Sequence, residues 1–379
     1  MASPLSGLLV LDFSTLLPGP MATLMLAEAG AEVVKIERPP IGDEMRTYRP
    51  LWGKEAVNFA LLNRGKKSLA LDLKNATDRA KLDPLIARAD ILVEQFRPGV
   101  MARLGLDYAA LAKVNPRLIY CAITGYGQTG PKRDVAGHDL NYIGDAGLLS
   151  LSYGDPARPV IPPALVADIA AGAYPAFINI LLSVIERGRT GRGVFLDVAM
   201  TDHLFPFLYW AIGNGLGTGQ WPGNGTDLVT GGTPRYQLYP TSDGRMVAAA
   251  PIEQRFWDIF IGIIGLEPGF AEDARDPAAT KARIRELIGA KPAEHWRMAF
   301  AGKDCCCSIV ATMQEAMTDP HFAARGLFAR SVVNETGQRL PALPTSVLPP
   351  FLAKNDTAGP PALGGDNAAL LGCVKEQRG

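Results

Sequence analysis

Apolar residues in the first third of the chain fall into short unbroken runs separated by stretches of helical composition. Leu8 to Phe13 is one such run, Pro18-Gly19-Pro20 interrupts it, Met21 to Ala29 reads as helix, and Ala31 to Glu37 (AEVVKIE) is a second run. Runs that are apolar on both faces suit strands buried in a parallel sheet, and strand, helix and strand in that order make a βαβ unit. The pattern then repeats. Ser68 to Leu73 is a strand, Ala76 to Arg88 a helix, Asp90 to Gln95 a strand, Leu111 to Val114 helical, and Leu118 to Thr124 (LIYCAIT) a strand. Such alternation predicts an α/β fold with a mostly parallel sheet covered by helices on both faces.

Ile169 to Ile185 is uncharged and predicts a helix packed deep in the molecule, with a kink at Pro175. Residues 186–193 and the glycine-rich 213–232 read as turns and a linker. Tyr236 to Ala250 alternates around Ser242-Asp243-Gly244 as a hairpin does, and charged helices follow at Thr280 to Ile288 and Pro292 to Phe300. The Pro- and Gly-rich stretch from Leu340 to Gly365 reads as extended chain returning to the first domain. The expected division is therefore a large domain over 1–190 completed by 330–379, a linker over 191–227, and a small α+β domain over 228–329.

Composition narrows the partners. With 38 Lys and Arg against 38 Asp and Glu in 379 residues, the chain has no long-range positive field, which argues against nucleic acid and anionic membranes. The N-terminal apolar run has no basic residue before it and ends at Asp12, unlike a signal peptide. The uncharged stretch Leu204 to Thr226 carries six glycines and reads as irregular chain rather than a membrane span. These features predict a soluble cytoplasmic protein. Five cysteines (121, 305, 306, 307 and 373) include three in a row that cannot pair with one another without severe distortion, and they read as reduced, buried core residues.

The first βαβ unit invites a dinucleotide reading, with Glu37 where a ribose-binding acid would stand. Its turn has only Gly19, between two prolines, and lacks the glycines that phosphate approach requires, so NAD and FAD are not expected. Cations instead cluster near four predicted strand ends: Arg38, the segment Asn63-Arg64-Gly65-Lys66-Lys67, Arg97 with Arg103, and Lys132-Arg133. Converging on one crevice they suit a ligand with several phosphates; taken singly they suit a solvated surface. Asp168, just before the long apolar helix, reads either as an N-cap or as an acid/base or nucleophile oriented by a helix terminus. His138, in GHDLNY, would be a second proton-transfer group opposite such a base, and otherwise a structural histidine. Glu253 precedes an aromatic helix start and reads most simply as a first-turn acid. No paired His, Cys or Asp spacing points to a metal site.

Four segments carry a resemblance: LLVLDFSTLLPGPMATLMLAEAGAEVVKIERP, NRGKKSLALDLK, VEQFRPGVMARLGLDYAAL and RTGRGVFLDVAMTD. They resemble the class III CoA-transferase family, which includes formyl-CoA and carnitine CoA-transferases and alpha-methylacyl-CoA racemases. The resemblance implies a Rossmann-like large domain with both termini, a small domain, and an interlocked homodimer. It implies a coenzyme A thioester as substrate, no tightly bound cofactor, and a CoA site at Arg38, Lys66, Gln95, Phe96, Arg97, Arg103 and Lys132. Asp168 matches the family's essential aspartate. In transferases that residue attacks the thioester and becomes an aspartyl-CoA thioester; in racemases it is an acid/base at the carbon alpha to the carbonyl. GHDLNY and IEQRFW resemble the racemase branch, with His138 and Glu253 as the opposing proton-transfer unit. The expected activity is racemisation of 2-methylacyl-CoA, with CoA transfer between carboxylic acids as the alternative.

Overall fold

The computed structural model describes residues 3–152, 158–354 and 357–372. Its apolar runs pair as six parallel strands: β1 Leu9–Asp12, β2 Glu32–Glu37, β3 Lys67–Ala70, β4 Ile91–Glu94, β5 Ile119–Thr124 and β6 Phe195–Ala199. They lie in the order β3-β2-β1-β4-β5-β6, so the sheet is doubly wound and its order reverses between β1 and β4. Every residue of β1, β4 and β5 is buried, which is why these segments are apolar without alternation. On one face Leu9, Leu11, Leu92, Tyr120 and Ala122 pack with Leu82, Leu85, Ile86, Met101 and Leu111. The other face, which carries Asp12 and Lys35, lies under helices α1 (Gly19–Glu28) and α2 (Val57–Asn63).

Several elements differ from expectation. The helix predicted over Ala76 to Arg88 is two short helices, Ala76–Ala80 and Asp83–Arg88, because Pro84 in the first turn of the second offers no N–H to continue the first. A helix α3 at Asp139–Asp145 precedes the long apolar one. That long helix is π-helical over Val166–Ala173 and becomes α4 at Tyr174–Thr190, the change falling beside Pro175 where a kink was expected. It is not packed deep in the molecule. Ala171, Ala173, Ala176 and Ile180 are buried, whereas Ile178, Leu182 and Ile185 each expose more than half their surface. The 25-residue stretch Val166–Thr190 contains an 18-residue window with a mean hydropathy of 1.6, long and apolar enough to cross a membrane, yet it is anchored along the buried face of this helix.

The chain folds as two compact units: Met1–Ala146 with Ala164–Phe205 and Pro320–Gly379, and Gly147–Pro163 with Pro206–Asp319. The segment 191–227, expected to be a linker, contains the edge strand β6 and a helix α5 at Tyr209–Thr218. Gly215 lies within α5 because the Trp221 ring occupies the space its Cβ would fill, 2.3 Å away. The second unit holds the expected hairpin, β7 Gln237–Pro240 with β8 Met246–Ala249, extended by β9 Cys307–Ile309. Helices α6 (Gln254–Ile264), α7 (Pro277–Gly289) and α8 (Ala293–Phe300) close a core of Tyr239, Val247, Trp257, Phe260, Ile288, Trp296 and Cys305. Of the run expected to be buried, Cys305 is buried, Cys306 exposed and Cys307 half-buried, while Cys121 is buried in β5; Cys373 lies outside the described residues. In the first unit the C-terminal stretch covers the β3 edge: Ser68 N–H donates to Asp366 at 2.9 Å and Ala70 N–H to Asn367 at 2.8 Å. Those side chains occupy backbone groups that would otherwise template aggregation.

Beneath α1 lies a fully buried ionic cluster. Lys66 Nζ is 3.1 Å from Asp12, donates to Thr23 Oγ1 (2.7 Å), Asn63 Oδ1 (2.8 Å) and Pro20 O (3.0 Å), and has no exposed side-chain surface. Lys35 pairs with Asp43 at 2.9 Å. Burial holds the Lys66 amine down at about 8 against the pull of Asp12. Lys66→Met strands Asp12 in the interior and is expected to lower stability by about 3 kcal/mol, read as the urea midpoint at constant m-value. A midpoint unchanged from wild type would mean the pair contributes nothing.

Candidate active site

In a doubly wound sheet the loops after β1 and β4 leave in opposite directions and open a crevice at the strand C-termini. Two cavities occupy it. One, of about 810 Å³, is lined by Arg38 after β2, by Leu73, Lys74 and Arg79, and by Phe96, Arg103 and Leu104 after β4. The other, of about 660 Å³, takes Leu16 to Pro18 after β1, Gln95 to Pro98 after β4, Gly125 and Tyr126 after β5, and His138, Asp139, Tyr142, Asp168 and Met200. Phe96 lines both. The first cavity offers cations around an apolar slot, the chemistry for a phosphorylated ligand with a planar base; the second offers carboxyl groups, a histidine and apolar walls.

Asp168 sits in the first turn of the π-helical segment. It does not cap that helix. Asp139 does so from α3, accepting the Asp168 N–H at 2.9 Å and also the amides of Val166 and Ala167. The turn's orphan donors are thus satisfied from another element, and the Asp168 carboxyl has no side-chain hydrogen bond among the described residues. Burial, and then the charge of Asp139, push its pKa up to about 7, so at neutral pH it both holds and releases a proton. Gly172 lets this helix approach the β1–α1 loop: a Cβ there would lie 3.0 Å from the Pro18 side chain. His138 is the exposed N-cap of α3, its backbone N–H bonded to Asn141 Oδ1 at 3.0 Å. The Tyr142 hydroxyl donates to Gly137 O at 2.5 Å, and a Cβ on Gly137 would lie 2.7 Å from that ring, which fixes the approach to His138. Tyr126 and Lys132 both reach Asp145, at 2.7 and 2.8 Å, and tie the adjoining loop to α3.

The description of CoA-transferase family III matches residues 5–367. The chain belongs to CoA-transferase family III. It is 33% identical to the human alpha-methylacyl-CoA racemase over 93% of its own length and 91% of that protein. It is 32% identical to the acetyl-CoA:oxalate CoA-transferase of Acetobacter aceti over 97% and 95%. A crystal structure of a CAIB/BAIF family protein from Brucella suis superposes with a TM-score of 0.85 at 29% identity, covering 99% of this chain and all of that one. The family includes racemases and CoA-transferases, so this member is an enzyme of CoA thioester chemistry.

Within this family member the structure sorts the site residues named from sequence. His138 and Asp168 line one cavity, with Gln95, Phe96 and Arg97; Arg38 and Arg103 line the other. Lys66, expected to face CoA, is instead fully buried, its ammonium bonded to Asp12, Pro20, Thr23 and Asn63, and it lines neither cavity. Lys132 is exposed and paired with Asp145, outside both linings. Gln95 spends its amide on the protein, donating to Thr15 O at 2.5 Å and accepting the Gly19 N–H at 2.9 Å. Glu253 belongs to the second unit, exposed at the N-cap of α6 and near Cys306. Glu37 accepts from Arg46, Ser68 and the Asp43 N–H, so no acceptor remains for a ribose. Among the described residues no three His, Cys, Asp or Glu side chains converge as metal ligands. Sequence reasoning missed Asp139 although it follows His138, because only the fold brings it to the start of another helix.

A carboxyl whose pKa is raised on folding holds its proton in the native state after the unfolded chain has released it. Asp168 therefore costs stability as pH rises from about 4 to 7, and the cost persists above. Asp168→Asn is expected to be more stable than wild type by about 1–2 kcal/mol at pH 8, discounted for the group's partial exposure, and equal to it below about pH 4. Denaturant unfolding across pH checks this; a difference independent of pH would refute the raised pKa.

Proposed function

We propose that this enzyme racemises 2-methylacyl-CoA thioesters by removing and returning the proton alpha to the carbonyl. The observation that carries the reading is Asp168: a carboxyl in one cavity with His138, without a hydrogen bond to its side chain among the described residues, and pushed up to about 7 by burial and Asp139. Acid/base catalysis works best when the group's pKa lies near the working pH, which suits proton transfer. A nucleophilic carboxylate gains more from staying ionised. Apolar side chains around the pair, among them Leu16, Leu17, Met45, Leu165 and Met200, suit a branched hydrocarbon acyl group better than a dicarboxylate.

The steps follow from thioester chemistry. The thioester acidifies its alpha proton, one of the two groups removes it, the enolate is held by hydrogen bonds, and the other group returns a proton to the opposite face. Arg38 and Arg103 hold the phosphorylated end of CoA in the cationic cavity, with Phe96 between that cavity and the reacting carbon. Glu253 is the third group assigned to proton transfer, by its match to the racemase branch. The exposed stripe Ile178, Leu182 and Ile185 on α4 supports a homodimer, since apolar residues one helical turn apart rarely stay bare in water. Similarity to an acetyl-CoA:oxalate CoA-transferase, 32% identical over 97% of the chain, supports the second reading, in which Asp168 attacks the thioester.

Incubation with a 2-methylacyl-CoA in deuterated water, without an acceptor acid, separates the two. Deuterium is expected at the alpha carbon, and Asp168→Asn, His138→Ala and Glu253→Gln are each expected to slow its entry by at least about 100-fold. No exchange in the wild type, with CoA passing to an added carboxylate, would overturn the racemase reading.

A further inference from the structure

Glu94 ends β4 with 4% of its surface exposed, in a strand otherwise made of Ile91, Leu92 and Val93. A carboxyl in such a place costs stability unless its oxygens are used. We propose that Glu94 is a positioning residue for the substrate: it holds the Gln95–Arg97 turn that separates the two cavities and thereby sets the CoA site.

The bonds run in a chain. Glu94 Oε2 accepts the Phe96 N–H at 2.7 Å, a bond between residues two apart that closes the turn and fixes the backbone of Gln95. Gln95 then reaches across the switch point to the β1–α1 loop. Its Nε2 donates to Thr15 O at 2.5 Å and Leu17 O at 3.4 Å, and its Oε1 accepts the Gly19 N–H at 2.9 Å. No side chain fits between these walls, since a Cβ on Gly19 would lie 2.7 Å from Gln95 Oε1. Phe96 and Arg97, the next two residues, line the cavities themselves. One buried carboxyl therefore orients the side chains of the partition and, through Gln95, the opposite wall.

Hydrophobic packing alone would favour an aliphatic residue at the end of this strand. The Phe96 N–H would then point into the interior without an acceptor, a loss borne by the turn rather than by the sheet. Burial, opposed by the Phe96 bond and reinforced by Asp197, pushes Glu94 up to about 7. Protonated or not, the carboxyl keeps an oxygen free to accept the Phe96 N–H. Glutamine keeps one too, which makes it the conservative replacement.

The inference rests on the reading that CoA binds in these cavities, so the test measures CoA itself. With the full chain, E94A is expected to weaken CoA binding by about tenfold in calorimetry, the scale of one buried hydrogen bond. KM for the acyl-CoA is expected to rise equally, with kcat within about threefold, because the proton-transfer groups stand on other elements. E94Q is expected to restore both to within about twofold of wild type. Q95L, which keeps the turn and removes the bridge, is expected to raise KM as E94A does; it carries the test should E94A not fold. A folded E94A that binds CoA like wild type, an E94Q as weak as E94A, or a Q95L with unchanged KM would each overturn the role of Glu94. Wild type that binds no CoA would instead overturn the underlying reading, and this inference with it.

Discussion

Two neighbouring parallel strands, β1 and β4, send their chains away in opposite directions, and the gap this leaves cannot be closed by either connection. That topological constraint places the loops after both strands at the rim of one crevice, together with the ends of β2, β3 and β5. Arg38, Gln95, Phe96 and Tyr126 reach it directly from strand ends, whereas His138 and Asp168 are brought to it by helices. The crevice is then divided by the turn after β4, so a cationic and a largely apolar environment lie a few residues apart.

Charged groups beneath the crevice are consumed by one another. Asp12, Lys66, Lys35 and Asp43 satisfy one another under α1 with no solvent contact, and Asp43 also accepts the Leu16 N–H at 3.0 Å. Leu16 has φ of 56°, a left-handed backbone that a non-glycine residue adopts at a cost, and the Asp43 bond holds it there. The buried ionic cluster thus shapes the loop whose Leu16 and Leu17 line the cavity that holds Asp168 and His138. Asp168 is the opposite case. Its backbone is pinned by Asp139 while its carboxyl has no hydrogen-bond partner among the described residues, so the neighbouring charge acts on its proton affinity and not on its position.

The same arrangement accounts for a family that contains both racemases and CoA-transferases. An aspartate at the start of a helix, at the edge of a cavity with apolar walls, can take a proton from the alpha carbon of a thioester or attack the carbonyl one bond away. Which occurs depends on the carboxyl's proton affinity and on what faces it. Here burial and Asp139 raise that affinity, and a histidine shares the cavity.

Local pattern was sufficient for much of this protein. Unbroken apolar runs mark strands buried on both faces, so the parallel sheet and its alternation with helices were legible, as were the family segments; Asp168 and His138 stood out in sequence only as candidates. What local pattern could not decide is where a polar side chain spends its hydrogen bonds. Lys66 in a basic cluster looks the same in sequence whether it meets a phosphate or Asp12, and Gln95 whether it meets a ligand or the Thr15 carbonyl. Glycine-rich 213–218 looked irregular until Trp221 filled the space beside Gly215, and the long apolar helix looked buried although half of it faces outward. Asp139 and Glu94 were invisible for the same reason. Their partners are a helix start 29 residues on and a turn whose value lies in the wall it meets across the sheet. Burial and pairing are properties of the packed chain, and only tertiary structure decides them.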